Sequence, residues 1–192
     1  MDYKSPRLAP SSRPAWANLA KHVIGLSNRK DGGYMLIGVE DGTFKAHGLS
    51  DDQVATWDAA RVNAALAGYA APRPVVQVIC GSLEDGTVLL ALRVAEFEEQ
   101  PLVCTKSIRD DQGSPVLRQG ALYIRTEDTE TREVSTEAEM RELLSRAYVK
   151  RAERLLHDIK ALIDMHWPGH GAPAMPGLVS AIESDLGEMR RP

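Results

Sequence analysis

Apolar side chains recur every three to four residues through the segment PAWANLAKHVIGLSNRK, which predicts an amphipathic helix. Its apolar face runs from Trp16 to Ser27. The opposite face would present Lys21, Asn28 and Arg29 to solvent. One face of this helix is therefore expected to pack against the core.

The next segment carries paired glycines and then a short apolar run. Gly32 and Gly33 are expected to end the helix, because glycine adopts a left-handed C-terminal cap without steric cost. YMLIGV is short, apolar and flanked by glycines, which predicts a buried strand. EDGT follows as a turn in which Asp-Gly supplies the positive φ.

The rest of the chain mixes strands and helices. A helix is predicted from about residue 51 to residue 67, and PRPVVQVICGS and TVLLALRVAEF are predicted to pair through LEDG. GALYIRT predicts a later strand, and a long helix is expected from near Ser135 to about Met165. We therefore expect an α+β fold, with a mixed β-sheet flanked by helices and a C-terminal helical appendage.

Two regions are predicted, a domain over residues 1–145 and a helical appendage over residues 146–192, with WPGHGAPAMPG ending the long helix before a short final one. The appendage carries an apolar stripe that could cover the domain or pair with a second copy in a homodimer. The stripe consists of Leu144, Tyr148, Leu155, Ile159 and Ile163.

Charge is distributed unevenly. The first 30 residues hold six basic side chains and the single acid Asp2, although the whole chain has a formal net charge of -4. A cationic face on an acidic body indicates an anionic partner that docks at one place, and the alternative is an ordinary solvated face.

Several classes of function are not supported. No apolar run approaches the roughly 18 residues of a membrane span, and the N-terminus lacks a secretory pattern, so we expect no membrane association and a cytoplasmic location. The glycines precede the strand rather than follow it, so no nucleotide cofactor is expected. Pro168 interrupts the spacing of His166 and His170, which disfavours zinc. Cys80 and Cys104 are expected to be buried thiols in strands.

Carboxylates remain as candidate chemistry. Asp2 and Lys4 alternate on an extended segment, whereas Glu40 and Asp41 lie where the core strand ends. If the N-terminal segment pairs beside YMLIGV, Asp2 and Glu40 could converge and bind a divalent cation that activates water against a phosphodiester. The alternative is that Asp41 belongs only to a turn and Asp2 only to a frayed terminus.

Four motifs in order now resemble a known family: DYK, then LAKHVIGLSNRKDGG, then YMLIGVEDG, then GALYIRTEDTETREVS. Together they are similar to the Schlafen-type AlbA_2 domain over residues 2 to about 145. Vertebrate members are similar to enzymes that cut transfer and ribosomal RNA with three carboxylates and a divalent metal. Bacterial members are described as DNA-binding domains, often attached to transcription regulators.

The resemblance implies roles for particular residues. Asp2 matches the acid of the acid-aromatic-Lys element, Glu40 or else Asp41 matches the acid after the Gly-Val strand, and Lys4 would steady the scissile phosphate. These three carboxylates would hold Mg²⁺ or Mn²⁺. The family's other catalytic acid lies a few residues before Asp2, where this sequence has only Met1, so an incomplete set or a truncated start is expected.

Nucleic-acid binding does not need that acid. The expected partner is tRNA or other structured RNA, or DNA, with RNA slightly favoured. Arg125 could either neutralise a phosphate or pair with a carboxylate across the sheet. The candidate phosphate-binding residues are Lys4, Arg7, Arg29, Lys30 and Arg125.

Overall fold

A computed structural model of the chain describes residues 2–4, 12–126 and 130–166, without the side chains of Asp2, Ile163, Asp164 and His166. The predictions for Arg7, His170 and the final short helix fall outside the described residues. The chain divides into two compact units, Met1–Ser135 and Thr136–Pro192. The predicted domain boundary at residue 145 stays a prediction.

The first unit combines three helices with short strands over its described residues. The helices are α1 (Arg13–Ser27), α2 (Asp51–Ala55) and α3 (Ala59–Leu66). The strands are β1 (Asp2–Lys4), β2 (Gly33–Ile37), β3 (Ala70–Ala71), β4 (Val76–Ser82), β5 (Val88–Val94), β6 (Val103–Cys104), β7 (Ile108–Arg109), β8 (Pro115–Leu117), β9 (Tyr123–Arg125) and β10 (Thr131–Glu133).

The main sheet has the strand order β1-β2-β5-β4. β1 runs parallel to β2, whereas β2 with β5 and β5 with β4 pair antiparallel, so the sheet is mixed. Antiparallel pairs β3–β6, β7–β8 and β9–β10 complete the unit. The predicted α+β class with a mixed sheet is confirmed, as is the β4–β5 hairpin.

Helix α1 is the central element, because it contacts β2 and β5 of the main sheet as well as β7 to β10. Ser12 caps its start, accepting a hydrogen bond from the Ala15 amide at 3.3 Å, and a proline in the first turn suits the helix start. Leu19, Val23 and Ile24 are fully buried. Burying this many apolar side chains is what holds the helix in place.

The end of α1 differs from the prediction. The helix stops at Ser27, with Asn28 as its C-cap in a right-handed conformation, so the glycines do not cap it. Asn28 is 1% exposed rather than solvent-facing. Its side-chain Nδ2 donates to the Leu102 and Tyr123 carbonyls at 2.9 Å, and its Oδ1 accepts from the Leu102 amide at 2.7 Å. Asn28 therefore joins the helix end to two distant segments.

Gly32 serves a different purpose from a cap. It has a φ of +67°, and a Cβ placed there would lie 2.2 Å from the Val94 carbonyl oxygen. No side chain fits that distance, so only glycine lets the turn pass this close to the end of β5.

The predicted helix over residues 51–67 is two helices. Ser50 starts α2 with a reciprocal capping box to Gln53. Asp58 starts α3 by accepting a hydrogen bond from the Arg61 amide at 2.9 Å. The break arises because Asp58 favours capping over continuing a helix, while Trp57 beside it is buried.

The two cysteines have different environments. Cys104 is buried as expected, and burial raises the pKa of its thiol. Cys80 is exposed, contrary to the prediction, because it lies in the exposed second half of the edge strand β4. Both thiols are free.

The second unit contains α4 (Glu137–His166), a helix of 30 residues. Thr136 precedes it and accepts a hydrogen bond from the Glu139 amide, and Glu137 and Glu139 lie in its first turn, where negative charge favours the helix dipole. Across the part of the chain that the structure describes, no helix combines the length and apolar character of a membrane span.

Candidate functional site

A buried polar cluster lies where α1 meets β9 and β10. His22 Nδ1 lies 3.0 Å from Thr131 Oγ1 and 3.2 Å from Arg125 Nη1, and Arg125 Nη1 donates to Thr131 Oγ1 at 2.9 Å. Gly25, one turn after His22, permits this approach, because a Cβ there would lie 2.7 Å from the Thr131 methyl carbon. Arg125 is only 8% exposed.

The His22 imidazole is held neutral. Its burial, and then the charges of Lys4, Arg125 and Lys21, lower its pKa from 6.5 to about 3. Arginine has no acceptor, so the Nδ1 atom that faces Arg125 must carry a lone pair, and the ring proton resides on Nε2. Three cationic side chains thus surround one uncharged ring.

A cleft of about 630 Å³ lies next to this cluster, and Thr131 belongs to both. Four cationic side chains line the cleft against two acids, Glu130 and Glu133. The cationic side chains are Lys21, Arg109, Arg118 and Arg132.

The cleft arginines are held by local hydrogen bonds. Arg118 forms a two-armed ion pair with Glu133, its Nη2 donating to Oε2 at 2.7 Å and its Nε at 3.0 Å. Arg109 donates to the Gly113 carbonyl at 2.6 Å, and Arg132 donates to Ser135 Oγ at 3.0 Å. A guanidinium has five N–H groups, so these bonds orient each side chain without using all its donors.

Tyr123 stands at the back of the cleft. Its hydroxyl accepts a hydrogen bond from the Arg118 amide at 2.9 Å, and burial raises its pKa to about 12. Lys21 Nζ lies 5.7 Å from the centre of its ring, a cation–π distance. Tyr123 therefore stays neutral and positions one of the four cations.

The predicted acids lie elsewhere in the unit. Glu40 and Asp41 are both exposed, in the turn after β2. Thr43 Oγ1 donates to Glu40 Oε2 at 2.6 Å, and His47 Nε2 lies 3.7 Å from the same oxygen. These hydrogen bonds, Thr43 first, lower the pKa of the Glu40 carboxyl, so it is an ionised oxygen ligand.

The N-terminal segment pairs beside β2, as the convergence of Asp2 and Glu40 requires. Asp2 lies opposite Met35 and Lys4 opposite Ile37. The Lys4 carbonyl accepts from the Gly38 amide at 3.0 Å and the Val39 amide at 3.3 Å, so the backbone of Lys4, rather than that of Asp2, lies beside Glu40. The backbone of Asp2 lies two residues, roughly 7 Å, further along β1.

A metal site was tested against these positions. Carboxylate oxygens of ionised Glu40 and Asp41 are suitable ligands for Mg²⁺ or Mn²⁺. Among the side chains that the structure describes, however, no group of three His, Cys, Asp or Glu is arranged to hold a metal ion. The described carboxylates alone do not form a metal centre.

The predicted basic face is divided in the structure. Arg29 and Lys30 are exposed in the turn that precedes β2, whereas Lys4 lies beside the last residue of that strand. The length of β2 separates them, roughly 13 Å for four residues. Arg125 joins Lys4 around His22 and is buried. Phosphate binding by these residues stays a prediction.

The sequence analysis missed His22, Arg109, Arg118 and Arg132. The available signal was the density of arginine in the late strands, where LRQGALYIRT and TREV bring basic side chains close together in sequence. Nothing in the local pattern indicated that Lys21, a residue of α1, would line the same cleft.

The fold and site define a small α+β domain, a mixed sheet with one central helix and a cation-lined cleft. The sequence model of the Schlafen, AlbA_2 family matches residues 1–134. The chain therefore belongs to the Schlafen AlbA_2 family, and the resemblance inferred from its four motifs is confirmed.

Solved structures were also compared. The DIP2311 protein from Corynebacterium diphtheriae aligns with a TM-score of 0.49 at 20% identity, covering 76% of this chain and 23% of that one. The N-terminal domain of a RecG-related protein from Nitrosomonas europaea aligns with a TM-score of 0.42 at 20% identity, covering 71% of this chain and 84% of that one. No curated protein matches the sequence.

The depressed pKa of His22 predicts a pH-dependent stability. Below pH 6.5 the unfolded chain binds a proton that the folded protein does not take up until about pH 3. Stability should therefore fall as the pH decreases through this window, by up to about 1.4 kcal/mol per pH unit from this group. Urea unfolding across the window should show a shallower loss for His22→Asn than for the unchanged protein. His47→Asn, at the exposed histidine, is the control, and equal slopes for all three proteins would contradict the assignment.

Proposed function

We propose that this chain is a nucleic-acid-binding domain whose cleft holds the phosphate backbone, with RNA slightly favoured over DNA. The observation that carries the proposal is the convergence of Lys21, Arg109, Arg118 and Arg132 on one cleft. Membership of the Schlafen AlbA_2 family supports the same class of partner. The preference for RNA is the finer part of the proposal and comes from the resemblance alone.

The charges of the cleft suit phosphate. Glu133 is paired with Arg118, and that ion pair is exposed to solvent, so it is worth little free energy and a phosphate can compete for the guanidinium. Arginine binds phosphate through two parallel N–H donors, which lysine cannot do. Below the cleft, Arg125 adds a further positive charge that Thr131 and His22 hold in place.

Backbone contacts of this kind fix position without reading base sequence. Their affinity comes largely from the release of counterions, so binding should weaken steeply as salt increases. The proposal thus predicts association with structured RNA such as tRNA, and with duplex DNA, dominated by charge.

Removing cleft charges should change the salt dependence. The double variant Arg109→Gln and Arg118→Gln should bind tRNA more weakly and reduce the slope of log affinity against log salt by about two, roughly one for each lost phosphate contact. Fluorescence anisotropy over a salt series measures both quantities. Arg93→Gln, at an exposed arginine of β5 outside the cleft, is the matched control. A salt-independent interaction, or none with either tRNA or duplex DNA, would remove the proposal.

A metal-dependent endoribonuclease is the second candidate. In its favour, the ionised Glu40 lies beside the backbone of Lys4, at the junction of β1 and β2 where the family resemblance expects an acid and a lysine. Asp2, Glu40 and Asp41 would hold Mg²⁺ or Mn²⁺, and Lys4 would contact the phosphate. A bound ion would supply Lewis-acid stabilisation of the phosphodiester.

The nuclease candidate predicts that Glu40→Gln abolishes cleavage of tRNA in the presence of Mn²⁺. Glutamine keeps the size and the Thr43 contact but not the charge of the ligand. Asp85→Asn is a matched control, since Asp85 is also an exposed turn acid with a lowered pKa. Gel analysis of the RNA decides the matter: identical cleavage by the Glu40 variant and the unchanged protein would point to contamination.

Self-association through α4 is a separate proposal. Leu144, Tyr148, Leu155 and Ile159 are all exposed along one face, with Tyr148 the most exposed at 71%. Acids concentrate before this stripe at Glu137, Glu139 and Glu142, and bases follow at Lys150, Arg151 and Arg154. An antiparallel pair of helices crossing at Tyr148 would place Glu142 opposite Arg154, whereas a parallel pair would align like charges.

Charge reversal tests that arrangement. Arg154→Glu should weaken the dimer, because it places an acid opposite Glu142 of the second copy. Adding Glu142→Arg should restore the dimer. Sedimentation of the full chain measures the association, and Ile79→Glu, at an exposed apolar residue of β4, controls for a general change in surface charge. A monomer before any substitution would contradict the proposal.

A further inference from the structure

Phe44 combines two properties that rarely occur together. Its φ is +57°, a left-handed conformation that bulky residues seldom adopt, and its side chain is 64% exposed. Burial of the ring therefore does not compensate the strained backbone. Strain that the fold itself does not use points to a role for the group that it displays.

The turn around Phe44 is closed by hydrogen bonds rather than open. The Phe44 amide donates to the Glu40 carbonyl at 3.0 Å, and the Glu40 amide donates to the Lys45 carbonyl at 2.9 Å. Thr43 is tied to the Glu40 carboxylate. An isolated bridge between Val39 and Ala46 closes the base of the turn. The position of the ring is thus set by the backbone.

Tyr3 fixes the orientation of the ring. The centres of the two rings are 4.9 Å apart with an angle of 75° between their planes, an edge-to-face pair. Tyr3 is half-buried in β1, so it is the anchored partner of the pair. An edge-to-face contact occupies little of the Phe44 surface, which agrees with its exposure.

The surroundings restrict what can lie on the ring. Lys45 and His47 supply cationic or donor groups in the same turn, and Glu40 and Asp41 supply acceptors. A protein interface needs a patch of several hundred Å², far more than one ring provides. A nucleobase matches a single ring in size, has amino groups for the carboxylates and brings a phosphate for Lys45.

We propose that Phe44, oriented by Tyr3, is a stacking platform for one unpaired nucleobase. This inference rests on the proposed nucleic-acid-binding function and adds that part of the ligand is single-stranded. Bases within a duplex are stacked on their neighbours and cannot reach an isolated ring, whereas bases of loops and single strands can. The cleft would hold backbone and the platform would select unpaired nucleotides.

Substitution of Phe44 separates the ring from the fold. Phe44→Gly removes the ring and places at +57° the residue that adopts this conformation without strain, so the turn should be retained. Phe44→Trp keeps an aromatic face. Val75→Ala is the matched control, since Val75 is 63% exposed and lies outside both the turn and the cleft. The urea midpoint of each variant confirms that the protein is folded.

The probes are a single-stranded RNA with one 2-aminopurine and a blunt duplex of the same sequence. Phe44→Gly should weaken single-strand binding by roughly 5- to 100-fold, the effect of losing one stacked base. The salt slope should not change, because the lost group is uncharged and releases no counterions. Duplex affinity should be unaffected, Phe44→Trp should restore binding, and quenching of 2-aminopurine should disappear only with glycine.

The outcomes distinguish this inference from the function on which it rests. Equal single-strand affinity of Phe44→Gly and the unchanged protein, with salt-dependent binding intact, would overturn the platform and leave the cleft standing. Equal loss of single-strand and duplex affinity would overturn it too, since a stacking site acts only on unpaired bases. Absence of binding by the unchanged protein would remove both.

Discussion

The side chain of Asn28 is the interaction on which the rest of the first unit depends. It ends α1 and makes hydrogen bonds to the backbone of Leu102 and Tyr123, which are 74 and 95 residues away in sequence. A buried amide with these partners satisfied specifies one arrangement of helix and strands, because any shift would leave polar groups unpaired. By fixing α1 against β9, it places Lys21 over Tyr123 and His22 against Arg125.

Local chemistry predicted the elements better than it predicted their ends. LEDG and its flanking apolar runs were enough for the β4–β5 hairpin, because turn geometry and alternation are properties of neighbouring residues. The glycines after α1 were misinterpreted, because the demand on Gly32 comes from the Val94 carbonyl, a residue far along the chain. Asn28 was expected in solvent because its partners cannot be seen in a local pattern.

The candidate site shows the same limit. The acids near Glu40 follow a strand in sequence and could be identified from it, whereas the cleft combines α1 with strands that lie more than 80 residues later. Arginine density in those strands was visible, but its meaning depends on how Asn28 sets the helix. Family membership supplies the class of domain, and the positions of Lys21, Arg118 and Arg132 supply a physical reason for an anionic ligand.

The difference between the two cysteines has a practical consequence. Cys80 is exposed on the edge strand β4, while Cys104 is buried and the pKa of its thiol is raised. Thiolates rather than thiols react with maleimides, so the natural chain should take up a dye at Cys80 and leave Cys104 untouched. The protein thus carries its own attachment point for single-molecule fluorescence, at the opposite edge of the sheet from β1.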